Sequence, residues 1–188
     1  MTISSRAIGR LVALGVLAAI LQLTAISQVS IFGVPADLSP LIVASVGFLT
    51  GSIPGAIFGF CFGLFYDTAL MQTLGVTSLV LTAVGYGAGR VRELRDPAHG
   101  LAPVAVGAAA TAAAALAVTM LQFLLGVEAP LSLQVGRQIL MTVVLNTLLA
   151  LPVYALCRRA LLPYLPDDPR RRRRRAYTTG GLSPLSRA

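Results

Sequence analysis

Catalysis and metal binding need polar side chains in groups, and this sequence keeps them apart. Its single histidine, His99, sits beside Pro97 and Gly100, with no Cys, Asp or Glu set around it at metal-ligand spacing, so it reads as a solvated loop residue. Cys61 and Cys157 fall in apolar runs, away from any oxidising exterior, and read as small apolar fillers without a disulfide. Serines and threonines are scattered with no histidine or lysine base near them, which leaves nucleophilic hydrolysis without its activating partner. The sequence therefore predicts no enzyme, no metal and no cofactor.

What does recur at fixed spacing is glycine. In GSIPGAIFGFCFGLFYD, residues 51 to 67, Gly51, Gly55, Gly59 and Gly63 follow one another every four positions, and Asp67 ends the row. Residues four apart stack on one helical face, and lipid gives helices no hydrophobic reason to associate, so close contact must come from small side chains. Gly55, Gly59 and Gly63 make such a flat stripe, while Ile57, Phe58, Phe60, Phe62 and Phe65 are assigned to the opposite, bulky face. A second pair, Gly85 and Gly89 in GYGAG, repeats the spacing, and the two stripes are expected to face each other. Helix packing within the chain and binding of a partner are both open to them.

The remaining charges are few. Asp37, Asp67, Glu128 and Arg137 are placed at the outer face, where either Arg137 is held by one of the acids or all four stand at headgroup level. Gln122 and Asn146 lie within apolar runs, where an amide needs a partner in the interior and ties neighbouring helices together or lines a cavity. Pro152 is expected to kink the last apolar run near its inner end.

The elements that carry these residues follow from composition. Apolar residues make up 56% of the 188 and charged residues 12%, and the mean hydropathy is +0.81, far from the soluble norm. A spanning helix needs about 20 apolar residues. Six candidate spans result: Leu11 to Phe32, Leu38 to Thr50, Ile53 to Tyr66, Leu74 to Gly89, Leu101 to Gly126 and Gln138 to Cys157. The second and third are short and are parted by Gly51 and Pro54, so they read as a tight helical hairpin that either crosses fully or re-enters. Runs such as LIVASVGFL lack the alternation of a membrane β-barrel. The predicted class is an all-α integral membrane protein, a six-helix domain over residues 1–160 with a tail over 161–188.

Arginines set the orientation. Arg6 and Arg10 precede the first span, Arg90, Arg92 and Arg95 follow the fourth, and Arg158, Arg159 and Arg170 to Arg175 follow the sixth, so both termini are expected in the cytoplasm. The first span is too long for a signal h-region and has no clear small-x-small cleavage site, and is read as retained.

Pro35-Ala36-Asp37-Leu38, then the row Gly55, Gly59, Gly63 and Asp67, then VGYGAGR at 84 to 90, resemble in order and spacing the rod shape-determining protein MreD family, over about residues 5 to 160. The resemblance implies a small non-enzymatic membrane component of the bacterial elongation machinery in the cytoplasmic membrane. It implies a topology similar to the substrate-binding S-components of energy-coupling-factor vitamin transporters. It also implies partnership with MreC, and through it with MreB and with the RodA and penicillin-binding-protein synthase that makes peptidoglycan.

The tail departs from the compact family end. Arg170, Arg171, Arg172, Arg173, Arg174 and Arg175 form a run suited to an anionic inner leaflet at about 1 kcal/mol per residue, and no aromatic platform accompanies them for nucleic acid. Two functional classes remain: a scaffold of the elongation machinery, and the ligand-binding subunit of a vitamin transporter. A transporter subunit needs several polar groups converging on a cavity, and the outer helix ends offer few beyond Asp37, Asp67, Gln134, Arg137 and Gln138. The scaffold is the favoured reading.

Overall fold

The computed structural model describes residues 37–71, 73–94, 102–126 and 133–161, with isolated positions between 9 and 35. Gly9, Ala13, Gly15, Val16, Leu17 and Ile20 are helical. After them β1, Ser30–Ile31, pairs antiparallel with β2, Val34–Pro35. Five helices follow: α1 Ser39–Thr50, α2 Ser52–Ala69, α3 Val76–Leu94, α4 Ala102–Leu124 and α5 Leu133–Leu161. Arg6, Arg10, Arg95, His99, Glu128, the run Arg170 to Arg175 and the side chain of Gln134 lie outside the described residues.

Helix α1 is the axis of the molecule. Leu41, Val43, Ala44 and Val46 are at most 1% exposed, because α2, α3, α4 and α5 all pack on this helix, and a helix that is apolar all round is a buried one. Pro40 sits in its first turn, where a missing N–H costs no intrahelical bond. One residue, Gly51, separates α1 from α2, with φ 109° and ψ 177°, a region that is essentially glycine's alone. Pro54 is the third residue of α2 and is tolerated there for the same reason as Pro40.

Length qualifies the expected spans. Among the described residues, only α4 and the Gly136–Leu161 part of α5 are by themselves long and apolar enough to cross a membrane. The 12 residues of α1 rise about 18 Å, well short of a hydrocarbon core of about 30 Å. The first apolar run also ends earlier than expected, since Ser30–Ile31 is already extended.

The glycine stripe of α2 lies against α3. A methyl added at Gly55 would stand 2.6 Å from the Gly47 Cα and from the Gly85 carbonyl oxygen. One at Gly59 would stand 2.7 Å from the Leu81 carbonyl carbon, and one at Gly63 2.8 Å from the Ser78 amide. From the other side, a methyl at Gly85 meets the Gly55 backbone and one at Gly89 meets Gly51 and Ser52. These obstacles are backbone atoms, so no side-chain rotation relieves them.

The bulky face of α2 divides in two. Ile57, Phe60 and Phe65 are exposed, but Phe58 and Phe62 are buried, stacked with ring centroids 5.8 Å apart. This corrects their assignment to an outward face: Gly15 of the leading helical segment covers them, close enough that a methyl there would touch the Phe58 ring at 3.2 Å. Cys61 is exposed rather than a filler, whereas Cys157 is buried.

Gly59→Leu and Gly63→Leu should therefore lower the yield of monodisperse detergent-extracted protein sharply, since overpacking costs about 1–3 kcal/mol even where some relaxation is possible. Phe60→Leu, on the exposed face of the same helix, should extract like the parent chain. Equal recovery of all three variants in size-exclusion profiles would show that the α2–α3 contact is dispensable.

Candidate functional site

Polar groups brace this glycine seam at both of its ends. At the Gly51 turn, Glu93 Oε1 accepts from the Ser52 amide at 2.9 Å and from the Ser52 hydroxyl at 2.7 Å. Next to it, the Arg92 guanidinium donates to the Leu49 carbonyl. Two side chains from the end of α3 thus serve two other helices: a carboxylate at the start of α2, where free N–H groups and the positive dipole end lie, and a cation on the last carbonyls of α1. Arg90 lies 3.4 Å from Glu93, a half-exposed pair of small energetic weight. The two hydrogen bonds from Ser52, backbone first, hold the Glu93 carboxyl below its ordinary range. A depressed carboxylate contributes stability above the ordinary carboxylate range and loses it as pH falls through the lowered value.

At the opposite end Asp67 is 0% exposed. Its Oδ2 accepts from the Gly75 amide at 2.8 Å and, more weakly, from the Ser78 amide at 3.4 Å. The carboxylate at the end of α2 therefore caps the first turn of α3, a geometry that ordinarily comes from a residue next to the helix itself. Ser78 Oγ in turn donates to the Phe60 carbonyl at 3.0 Å, which ties the same turn back to α2. Neither reading of Asp67 as an Arg137 partner nor as a headgroup-level charge holds, because Arg137 is exposed on α5 and Asp67 is enclosed by backbone.

A third polar node lies inside the bundle. Asn146, 0% exposed and near the middle of α5, donates through Nδ2 to the Asp37 carbonyl at 2.7 Å and to Thr111 Oγ1 at 3.2 Å. Thr111 Oγ1 in turn donates to the Gly107 carbonyl one turn earlier in α4 at 2.9 Å. Asp37 Oδ1 accepts from the Ser39 amide at 3.0 Å and so opens α1. Asp37 is thereby corrected from the outer face to a position beside the middle of α4 and α5. The extended segment ahead of it, ending in Val34–Pro35, packs against α5, and extended backbone needs the donors that Asn146 supplies. Asn146 is the interhelical tie that its sequence position suggested, whereas Gln122 is half-buried on α4. Among the described residues, Asp67 Oδ1 and Asn146 Oδ1 are buried with no hydrogen-bond partner.

The structure brings Gly55, Gly59, Gly63, Gly85 and Gly89 into one seam ending at Asp67, and it keeps Asp37 and Arg137 out of it. Arg90, Arg92, Arg158 and Arg159 emerge at one end of the bundle, where Phe48 of α1 meets Tyr154 of α5 edge to face at 6.1 Å. Several contributors were not among the residues expected from the sequence. Glu93 and Arg92 act across 41 and 43 positions, and Gly47 joins the seam from α1. For Gly47 the spacing was available, since it lies four positions before Gly51.

Asp67→Ala should cost about 1–3 kcal/mol of stability, the price of leaving enclosed amides without an acceptor. Arg137→Ala should leave thermal stability unchanged, and the double variant should match Asp67→Ala alone. A loss for Arg137→Ala comparable to that for Asp67→Ala, recovered in the double variant, would restore the ion pair. Glu93→Ala should abolish the acid-side loss of stability assigned to that carboxylate, read from melting temperature against pH.

No curated protein and no solved structure matches the chain. Residues 5–160, more than four-fifths of it, match the family described as rod shape-determining protein MreD, so the chain belongs to that family, whose role lies in determining rod shape.

Proposed function

We propose that this protein is a multi-pass scaffold of the bacterial cell-elongation machinery, set in the cytoplasmic membrane as six spans with both termini inside. It binds MreC and, through it, serves MreB and the RodA and penicillin-binding-protein synthase during peptidoglycan synthesis, without catalysing a step itself. The observation that supports this reading most is where the polar groups go: the acids, amides and hydroxyls of the interior are spent on closing helix ends and joining helices. A rigid body with apolar outer faces is what a membrane scaffold presents to its neighbours.

The vitamin-transporter reading lacks support. The large cavity between α3 and α4 is lined almost wholly by alanine, valine and leucine, and offers no set of convergent polar groups to orient a polar solute. The family is one of membrane proteins, and α4 and α5 supply two spans that meet the length requirement unaided. The arginines gathered at one end of the bundle match the positive-inside trend and support a cytoplasmic assignment for that end.

Reporter fusions after Arg95 and after Arg159 should both read as cytoplasmic, and the tagged chain should retain MreC through detergent extraction. A fusion read outside at either point would break the six-span arrangement. A chain that restores rod shape to cells lacking their own copy but never retains MreC would break the partner assignment.

A further inference from the structure

The cavity between α3 and α4 has a volume of about 810 Å³. Its α3 wall runs from Leu79 to Val91, about 18 Å of helix, and its α4 wall from Ala102 to Leu121, about 28 Å, against a hydrocarbon core of about 30 Å. Its α4 wall is shallow because Ala105, Ala109 and Ala113 stand in a row there, and Phe48 of α1 closes the floor. Only hydrocarbon can fill such a space without stranding polar groups.

Gly87 sharpens the point. The run GYGAG holds three glycines, and Gly85 and Gly89 are accounted for by the seam with α1 and α2. Gly87 faces the other way, into the groove, and a methyl added there would meet nothing within 4 Å. Glycine is the least favourable helix-interior residue after proline, and nothing in the described chain repays its use at this position.

The groove also carries charge at one end. Arg90 follows Gly87 by three residues, so it stands on the same side of α3 one turn nearer the arginine-rich end. Its side chain is half exposed and, among the described residues, makes one weak contact, to Glu93, while a guanidinium carries five donors. Arg158 and Arg159 emerge at that end as well. An apolar channel beneath exposed guanidinium groups is complementary to a molecule with hydrocarbon tails and an anionic head.

We propose that the α3–α4 groove binds an anionic glycerophospholipid of the inner leaflet, its acyl chains over Gly87 and the alanine row and its phosphate at Arg90. This rests on the membrane reading above. A partner's transmembrane helix fits the charge less well, since helices entering the cytoplasm tend to carry arginine or lysine at that level and would meet Arg90 with like charge.

The full chain is extracted from carbonate-washed membranes, exchanged through delipidating detergent, and its retained phospholipid is identified and quantified by mass spectrometry. The parent chain should keep a stoichiometric anionic phospholipid. Gly87→Leu and Ala109→Leu, which fill the groove without touching the seam, should lower that retention roughly tenfold, about 1.4 kcal/mol, with melting temperature preserved. Arg90→Gln should keep lipid but lose the preference for anionic over zwitterionic headgroups. A parent chain stripped clean, undiminished retention in both leucine variants, or a stoichiometric helix in place of lipid would overturn the assignment. Absence of the chain from carbonate-washed membranes would instead refute the membrane reading, and the lipid site with it.

Discussion

Backbone contact between α2 and α3 is the constraint on which the rest of this molecule depends. Gly55, Gly59 and Gly63 meet Gly85, Leu81 and Ser78 so closely that a single methyl has no room, and the obstacles are main-chain atoms. Once the two helices lie at that distance, the ends of one reach the ends of the other. Asp67 can cap α3 from α2, and Glu93 can cap α2 from α3, only because the seam brings those termini together. The short helix α1 is then held against both, with Gly47 at the point where all three meet.

The same constraint explains how so apolar a chain tolerates its few interior polar groups. A helix that starts beside the middle of its neighbours exposes N–H and C=O groups where neither water nor a flanking turn can serve them. Asn146, which also donates to Thr111, answers that need for the Asp37 carbonyl, and Asp37 answers it for the Ser39 amide. The two Asn146 bonds join residues 109 and 35 positions apart in sequence, so the polar interior adds specificity of arrangement to packing that is otherwise nondirectional. For a protein whose family acts in shape determination, a fixed arrangement of outward faces is the property that partners can use.

Much of this was legible in the residues, and the exceptions share a cause. The four-residue glycine rhythm marked a helix face, and the apolar runs located α1, α2, α3, α4 and α5 to within a few positions, because both signals are local. Asp67 was recognisable as the end of the stripe, but its donors were not, since they are backbone amides eight and eleven residues away that gain significance only when the seam closes. Phe58 and Phe62 looked outward because α2 alone has one small face and one large one; a further helical segment covers part of the large face. Asp37 looked like the mouth of a span because depth in the bundle is set by the neighbours of a helix, here α4 and α5, and not by its own first residue.

Two glycines of α3, two residues apart, allow the most direct test of this account. Gly85 faces the seam, where an added methyl would stand 2.6 Å from the Gly55 carbonyl carbon, whereas at Gly87 it would meet nothing within 4 Å. The measurement is the unfolding free energy of Gly85→Ala and Gly87→Ala in lipid-free micelles, where helix propensity alone favours alanine in both by up to about 1 kcal/mol. The seam predicts that Gly85→Ala is destabilised by about 1–3 kcal/mol while Gly87→Ala is neutral or stabilised. Equal changes at the two positions would contradict it.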